Sequence, residues 1–469
     1  MNTKANKPLL LITVENQVRE FDPKLLLACI AVRRGFSSVI GPRRKIESRI
    51  PSFPKSIYIA KDLRSSNGKM FRILNKLGHI SVAWDEEALV HLPAEMYYSR
   101  RLSPRAVADA SSLFAWGEEN AELWRQYPHL PKNAIINVTG NPRNDLLRPE
   151  LRAYYNEEVR KIRQAYGNFI LVNTNFNHVN AFNPNHNLFQ PVKKTGDIPK
   201  FGTAARGMSR EYAEGLWDHK QSIFEDFQRM IPMLDKAFPD YHIVVRPHPT
   251  ESHKVYNNIA AGCQRVKVTN EGNVVPWLLA TKALVHNGCT TGMEAYVLKV
   301  PAITYRATIN DFYDFGFYRA PNLVSHQCFN FEELRVTLQK ILNGDLVMVN
   351  GDAPQEILDN FFAAQDGPLA CERIVNILEA VSKNRAEWPI PSVGDRLEGW
   401  FKAVRRRFKK QLKSYLPNVS ISSALLRHSY PRISLEEVQR RISRLRKVLN
   451  YSEEIKAEKI FDHIFKISV

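Results

Sequence analysis

The sequence predicts an α/β protein built from two parallel-sheet domains, and three observations carry that reading. Short runs of Leu, Ile and Val recur from residue 8 to residue 305 with little polar alternation inside them, the mark of strands buried on both faces. Amphipathic or polar stretches long enough for crossover helices separate these runs. A charged helical stretch, roughly 149–166, divides them into two series that share only this rhythm. Two Rossmann-like domains facing a cleft is the simplest architecture, and no repeat of solenoid period competes with it.

Taken in order, "PLLLITV" (8–14) is the first strand. "DPKLLLACIAVRRG" follows as a helix, with Asp22 at its N-cap, Pro23 at its first position and Gly35 as its stop. "SSVIG" (37–41), "SIYIA" (56–60), "HISVAW" (79–84), "SSLFAWG" (111–117) and "AIINVTG" (134–140) complete the first series. The second runs through "NFILVNTNF" (168–176), "YHIVVRP" (241–247), "RVKVT" (265–269), "KALVHNG" (282–288) and "VPAITY" (300–305). Residues 177–215, rich in Asn, Pro, Gly and Lys, read as a long loop over a site. The expected domains are therefore 1–160 and 161–382, followed by a basic helical region at 383–469.

With 469 residues and 44% hydrophobic content, the chain has ample core for such domains. No apolar run approaches the roughly 20 residues of a membrane span; "LLLACIAV" (25–32) ends at Arg33 and Arg34. The N-terminus lacks the apolar core and small-residue cleavage site of a signal peptide, so the expected location is cytoplasmic. Cys29, Cys263, Cys289, Cys328 and Cys371 are scattered, odd in number and without metal spacing. That pattern fits a reducing compartment and argues against a disulfide frame or a zinc site.

The net charge of +18 is unevenly spread, because residues 383–469 hold 20 Lys/Arg against 9 Asp/Glu. Within them, "GWFKAVRRRFKKQLKSYL" (399–416) places Trp400, Phe401, Val404, Phe408, Leu412, Tyr415 and Leu416 near one helical face. Seven Lys/Arg and no acid fill the remainder. This is the pattern of an interfacial helix on anionic lipid, peripheral on an inner membrane. A helix docked on the protein body with a solvated basic face is the plainer reading of the same residues. The run sits in no recognisable nucleic-acid-binding module, so nucleic acid is not an expected partner.

Three stretches carry chemistry. In open α/β sheets ligands bind beyond the carboxyl ends of the strands. "IVVRPHPT" (243–250) ends a strand there, offering Arg246 as a planar fork and His248 through a ring N–H. Pro247 and Pro249 fix the imidazole before a ligand arrives, lowering the ordering cost. "ALVHNGCTTGMEAYVLKVPAITY" (283–305) parses as strand, tight loop, helix, strand. Thr290 and Thr291 stand at the helix start, where free N–H groups bind phosphate, and Glu294 in the first turn can accept from ribose hydroxyls. An ordinary capping box of Thr291 with Glu294 fits the same residues. "SVAWDEEALVHLP" (81–93) puts three acids after a strand, where Asp85 or Glu86 can serve as general base toward an acceptor hydroxyl. A solvated acidic turn is the alternative.

Together "ENQVREFDPKLLLACIAVRRGFSSVIG", "WDEEAL", "VTGNPRNDLL", "VNTNF", "RPHP", "PWLLATKALVHNGCTTGMEA" and "VPAITY" resemble the bacterial surface-carbohydrate biosynthesis proteins. These are relatives of the capsule Kdo and polysialic-acid glycosyltransferases of GT-B architecture, and the resemblance spans roughly residues 8–330. It implies a catalytic carboxylate among Asp85, Glu86 and Glu87, with Ala88 standing where the family's acidic motif has glycine. It also implies that His248–Pro249 and Thr290–Thr291 hold the phosphate of a CMP-sugar. Glu15, Arg19 and Asn173 match family motifs as cleft residues without a defined role.

The expected protein is thus a GT-B glycosyltransferase moving Kdo or a nonulosonic acid from a CMP-sugar to a lipid-linked or glycan acceptor. No cofactor or metal is required, because Arg, His and helix N–H groups can stabilise a leaving phosphate. The alternatives are a CDP-polyol phosphotransferase, a UDP-sugar epimerase and a non-catalytic nucleotide-sugar-binding scaffold.

Overall fold

The computed structural model describes residues 7–89, 93–192, 197–317, 319–384, 388–414 and 430–469. Tyr415, Leu416 and parts of the 81–93 stretch and the 177–215 loop lie outside the described residues. The chain forms two compact units. The first gathers the described residues of Met1–Ala88, Ala94–Tyr154 and Asp359–Val469, and the second those of Leu89–Pro93 and Tyr155–Leu358.

The first unit is built on eight strands: β1 (Leu9–Val14), β2 (Ser37–Pro42), β3 (Ser56–Ala60), β4 (Ile80–Trp84), β5 (Ser112–Ala115), β6 (Ile136–Val138), β13 (Lys456–Phe461) and β14 (Ile464–Ser468). Their order is β13-β14-β2-β1-β3-β4-β5-β6. The six sequence-predicted strands are parallel, and β1 and β3 are buried along their whole length, as an unbroken apolar run requires. β13 and β14 form an antiparallel hairpin, and β14 extends the sheet by pairing antiparallel with β2.

The second unit carries β7 (Phe169–Asn173), β8 (His242–Arg246), β9 (Val266–Val268), β10 (Ala283–His286), β11 (Ala302–Tyr305) and β12 (His326–Cys328). The order is β12-β11-β10-β7-β8-β9, with every pairing parallel. Helix Arg210–Ala237 supplies much of its core. Ile223, Phe224, Phe227, Met230, Ile231 and Leu234 recur at helical spacing and pack with Ile170, Val172, Ile243, Val245 and Val285. Ser209 caps this helix, its hydroxyl accepting from Tyr212 N–H at 3.2 Å.

The structure departs from the sequence expectations in three places. The first helix runs Gln17–Arg33, so Asp22 is not its N-cap and Pro23 lies inside it. Glu20 takes over the capping, accepting from the amides of Glu15 and Asn16 at 2.9 and 3.0 Å, while Asp22 pairs with Arg441 at 2.8 Å. The grouping by contact also differs from 1–160, 161–382 and 383–469, because Asp359–Val469 joins Met1–Ala88 and Ala94–Tyr154 in one unit. Finally, 383–469 is neither purely helical nor separate. It contributes helices Val393–Ser414 and Leu435–Val448 and the β13–β14 hairpin to the first unit.

Candidate functional site

In the first unit, four adjacent strands deliver charge to one edge. Glu15 follows β1, Arg43 follows β2, Lys61 and Asp62 follow β3, and Asp85, Glu86 and Glu87 follow β4. Arg19 rises from the first turn of helix Gln17–Arg33. This is the carboxyl edge at which parallel sheets hold ligands.

The three acids after β4 have different surroundings. Asp85 is buried, and its carboxylate accepts from Arg101 Nε at 3.0 Å, from the Tyr97 hydroxyl at 2.9 Å and from the Glu87 N–H at 3.0 Å. A second Arg101 nitrogen closes the pair. Burial opposes ionisation, but Arg101 and these donors outweigh it and hold the carboxyl below its ordinary range. Glu86 is equally buried, with Oε2 taking Trp84 Nε1 at 2.8 Å and Lys24 Nζ at 3.0 Å. Lys24 is shared with Glu20 at 2.6 Å, so one buried ammonium sits between two carboxylates.

Glu87 is the accessible member, 31% exposed, and Arg19 reaches its two oxygens at 2.9 and 3.2 Å. Burial pushes its pKa up, but Arg19, then Arg101, Lys61 and Arg143, keep it well below the usual carboxylate range. Of the three acids, Asp85 and Glu86 are held by buried cations, whereas Glu87 and its partner Arg19 are partly exposed. Glu15 is half exposed and pairs with Lys61, and Arg43 lies 3.8 Å away.

In the second unit the expected residues also gather at one carboxyl edge. Asn173 at the end of β7 lies in register with Arg246 of β8 on one side and His286 of β10 on the other. The Pro-braced turn after β8 is held from inside by Glu251, which sequence reasoning missed. Its buried carboxylate accepts from His248 N–H at 3.0 Å, Thr174 Oγ1 at 3.0 Å and the Tyr256 hydroxyl at 2.7 Å, while burial raises its pKa. An acid three residues beyond the histidine was the available signal. Thr250 N–H donates to His248 Nδ1 at 3.3 Å, with the Thr250 hydroxyl 2.8 Å from the same atom. That assigns the neutral ring's proton to Nε2, making it a donor.

Arg246, at the carboxyl end of β8, is engaged with the loop after β9. It donates to the carbonyls of Glu271 and Gly272 at 2.9 and 3.2 Å and lies 4.8 Å from the Trp277 ring centroid. Its place is as a clamp on the loop after β9, and burial pushes its pKa down to about 9.

The loop after β10 is shaped by a second histidine. His286 is fully buried and accepts Gly288 N–H on Nδ1 at 3.0 Å, which leaves Nε2 to donate to Ser325 Oγ at 2.9 Å. Burial lowers its pKa to about 3. Gly288 turns the chain with φ +75°, and a Cβ on Gly292 would lie 2.7 Å from His286 Nε2. Helix Thr291–Leu298 follows. Among the described residues, Thr290 makes no side-chain cap bond and Thr291 Oγ1 accepts no hydrogen bond, so the alternative Thr291–Glu294 capping box is not formed. Glu294 is buried in its first turn.

Among the described residues, Asn173 Oδ1, Asn287 Oδ1 and Thr291 Oγ1 at this edge have no hydrogen-bond partner. Asn173 and Asn287 are more than nine-tenths buried. Asn287 and Thr291 lie in the loop and first turn that open helix Thr291–Leu298, where free N–H groups can hold an anion. A cavity of 490 Å³ at the opposite edge differs in this respect. Its Arg163 already bonds the Leu279 carbonyl, and the Thr281 hydroxyl turns to the carbonyls of Phe169 and Ala283.

No protein-family model matches the chain, and no curated protein matches it. Among solved structures, it is similar to the wall teichoic acid polymerase TagF, in a variant soaked with CDPG. The identity is 15% over 81% of this chain and 90% of that one, with a TM-score of 0.48. It is also similar to the UDP-GlcNAc 2-epimerase of Methanocaldococcus jannaschii, solved with UDP-GlcNAc and UDP. There the identity is 15% over 80% of this chain and 99% of that one, with a TM-score of 0.46. For the epimerase of Neisseria meningitidis the figures are 13%, 80%, 99% and 0.44.

Proposed function

We propose that the protein is a GT-B glycosyltransferase of surface-glycan assembly that uses a CMP-linked 3-deoxy-2-ulosonic acid, Kdo or a nonulosonic acid. The observation that carries the reading is the trio of unpartnered buried polar atoms at the carboxyl edge of the second sheet. The two asparagine oxygens seek donors, which ribose hydroxyls and the cytosine amino group supply. Thr291, His248 Nε2 and the N–H groups opening helix Thr291–Leu298 supply donors to the phosphate. The choice of a CMP donor rests on the sequence resemblance.

In the reaction, an acceptor hydroxyl attacks the anomeric carbon, the bond from that carbon to the phosphate oxygen breaks, and CMP leaves. Glu87, ionised beside Arg19, takes the hydroxyl proton. The acceptor is a lipid-linked or membrane-proximal glycan, and the enzyme works peripherally at the cytoplasmic face of the inner membrane. Among the described residues, no helix is long and apolar enough to cross a membrane.

A thermal-shift panel of CMP, CDP, UDP and GDP tests the donor. CMP at 100 times its dissociation constant adds about 2.7 kcal/mol, and His248→Ala should abolish the shift without lowering the ligand-free midpoint. A stronger response to UDP or CDP, or an intact CMP shift in His248→Ala, would refute the assignment.

A further inference from the structure

Helix Val393–Ser414 docks on the first unit by one narrow face. Gly399 and Ala403 are buried there, and a Cβ on Gly399 would come within 3.0 Å of Lys76 Cβ. Lys76 Nζ bonds Asp395 and Glu398 at 2.7 and 2.6 Å, while Arg406 and Lys410 each reach the buried Glu47 at 2.9 Å. These contacts fix the helix's rotation about its own axis.

The opposite face is left outward. Leu397, Trp400, Phe401, Phe408 and Leu412 each expose more than half of their surface. At 3.6 residues per turn the five fall within an arc of roughly 120°, centred about 150° from the docking face. Arg396 and Arg407 line one margin of that arc, Arg405 and Lys409 the other, and all four are exposed. No acid occurs between residues 399 and 416.

We infer that this face is the docking surface for an anionic lipid bilayer, with Trp400, Phe401 and Phe408 entering the boundary between headgroups and acyl chains. Charge decides the occupant. A second copy of the chain would set these cations against their own kind, whereas an anionic bilayer offers hydrocarbon to the aromatics and phosphate to both margins. The inference gives the membrane location proposed above a physical surface, and its test requires no turnover. It also ties lipid to the charged sheet edge. Glu47, which holds Arg406 and Lys410, is bonded by Arg43 at 2.8 Å, and Arg43 lies 3.5 Å from Asp62.

The test is flotation of the full chain with vesicles of phosphatidylcholine alone or mixed with phosphatidylglycerol. Binding should require phosphatidylglycerol and weaken at least tenfold as salt shortens the screening length from about 10 Å to about 3 Å. Trp400→Ser with Phe401→Ser should lower affinity at least tenfold with every charge kept. Arg405→Gln with Arg407→Gln should lower it about 25-fold, roughly fivefold per charge. Trp400→Phe should still bind but lose the fraction of fluorescence that brominated lipid quenches. Equal binding to both vesicle types, or undiminished binding by the double serine variant, overturns the inference. So does self-association that these substitutions abolish in a chain that ignores lipid. The CMP shift measured in solution is independent of all these arms, so failure of the donor assignment is told apart from failure here.

Discussion

Replacing Asp85 by Asn and Glu87 by Gln separates structure from chemistry two residues apart. The Asp85 carboxylate receives four hydrogen bonds in a site closed to water. Asparagine keeps the shape but removes the charge opposite Arg101 and turns one acceptor into a donor facing donors. Breaking a buried pair from one side costs about 3–5 kcal/mol. Glu87 and Arg19 are 31% and 23% exposed, and glutamine keeps a hydrogen-bonding oxygen toward Arg19, so losing this charge should cost less than breaking the buried Asp85 pair. Urea unfolding should therefore show a larger fall for Asp85→Asn than for Glu87→Gln. Transfer rates should invert the order, with Glu87→Gln losing about 10²–10⁴-fold. The acid limb gives a second readout. The Asp85 pKa is held below its unfolded value near 3.9, so the pair stabilises fully above about pH 4 and weakens as acid carries the pH through the folded value. Asp85→Asn should flatten that limb. An inactive Asp85→Asn of wild-type stability, or a fully active Glu87→Gln, would refute the reasoning.

Other outcomes follow from the same geometry. Thr291→Val removes a hydroxyl without a protein partner, so it should leave stability unchanged or raised while weakening CMP binding, by about 1–3 kcal/mol; equal affinity would make that threonine structural. Gly292→Ala drives a methyl against the buried His286 ring and should cost about 1–3 kcal/mol, checked by thermal midpoint. His79 and His286 are buried with pKa values pushed down to about 4 and about 3. Unfolded histidine titrates near pH 6.5, so stability is whole above that value and falls below it, by about 2 kcal/mol per histidine at pH 5. Denaturant midpoints at pH 7.5 and 5 check this, and His286→Asn should remove the share of the second unit.

The parallel strands were legible because a strand buried on both faces is an unbroken apolar word such as "FILVN" or "SIYIA". β13, "KAEKIF", hides for the opposite reason: it is an edge strand with charged, exposed side chains that propensity reads as loop or helix. The site was legible by position and not by partner. The Pro-braced histidine and the threonine loop lie beyond the carboxyl ends of β8 and β10, the two strands that flank β7. Which acid after β4 stays open, however, depends on Arg101 and Lys24, and their approach is a property of packing. The carbonyl partners of Arg246 were likewise illegible, since they lie 25 and 26 residues further on. The interfacial and docking readings of 399–416 proved not to exclude each other in geometry, because docking uses a face distinct from the aromatic one.

The return of the chain to the first unit after Leu358 sets an order of events at the ribosome. Residues 155–358 are contiguous and can close their own sheet as soon as they emerge. The first unit has six of its strands early, yet β2 keeps a bare hydrogen-bonding edge until residues 464–468 arrive. Asp145 likewise waits for the amides of Ala370 and Cys371, which it caps at 2.7 and 2.8 Å. Throughout most of synthesis the nascent protein therefore carries an unpaired strand beside a complete neighbour, a template for wrong pairing. A stop codon before Ile464, which removes β14, would make that transient state permanent. Short C-terminal truncations should then fail by aggregation, even though they leave every candidate site residue in place.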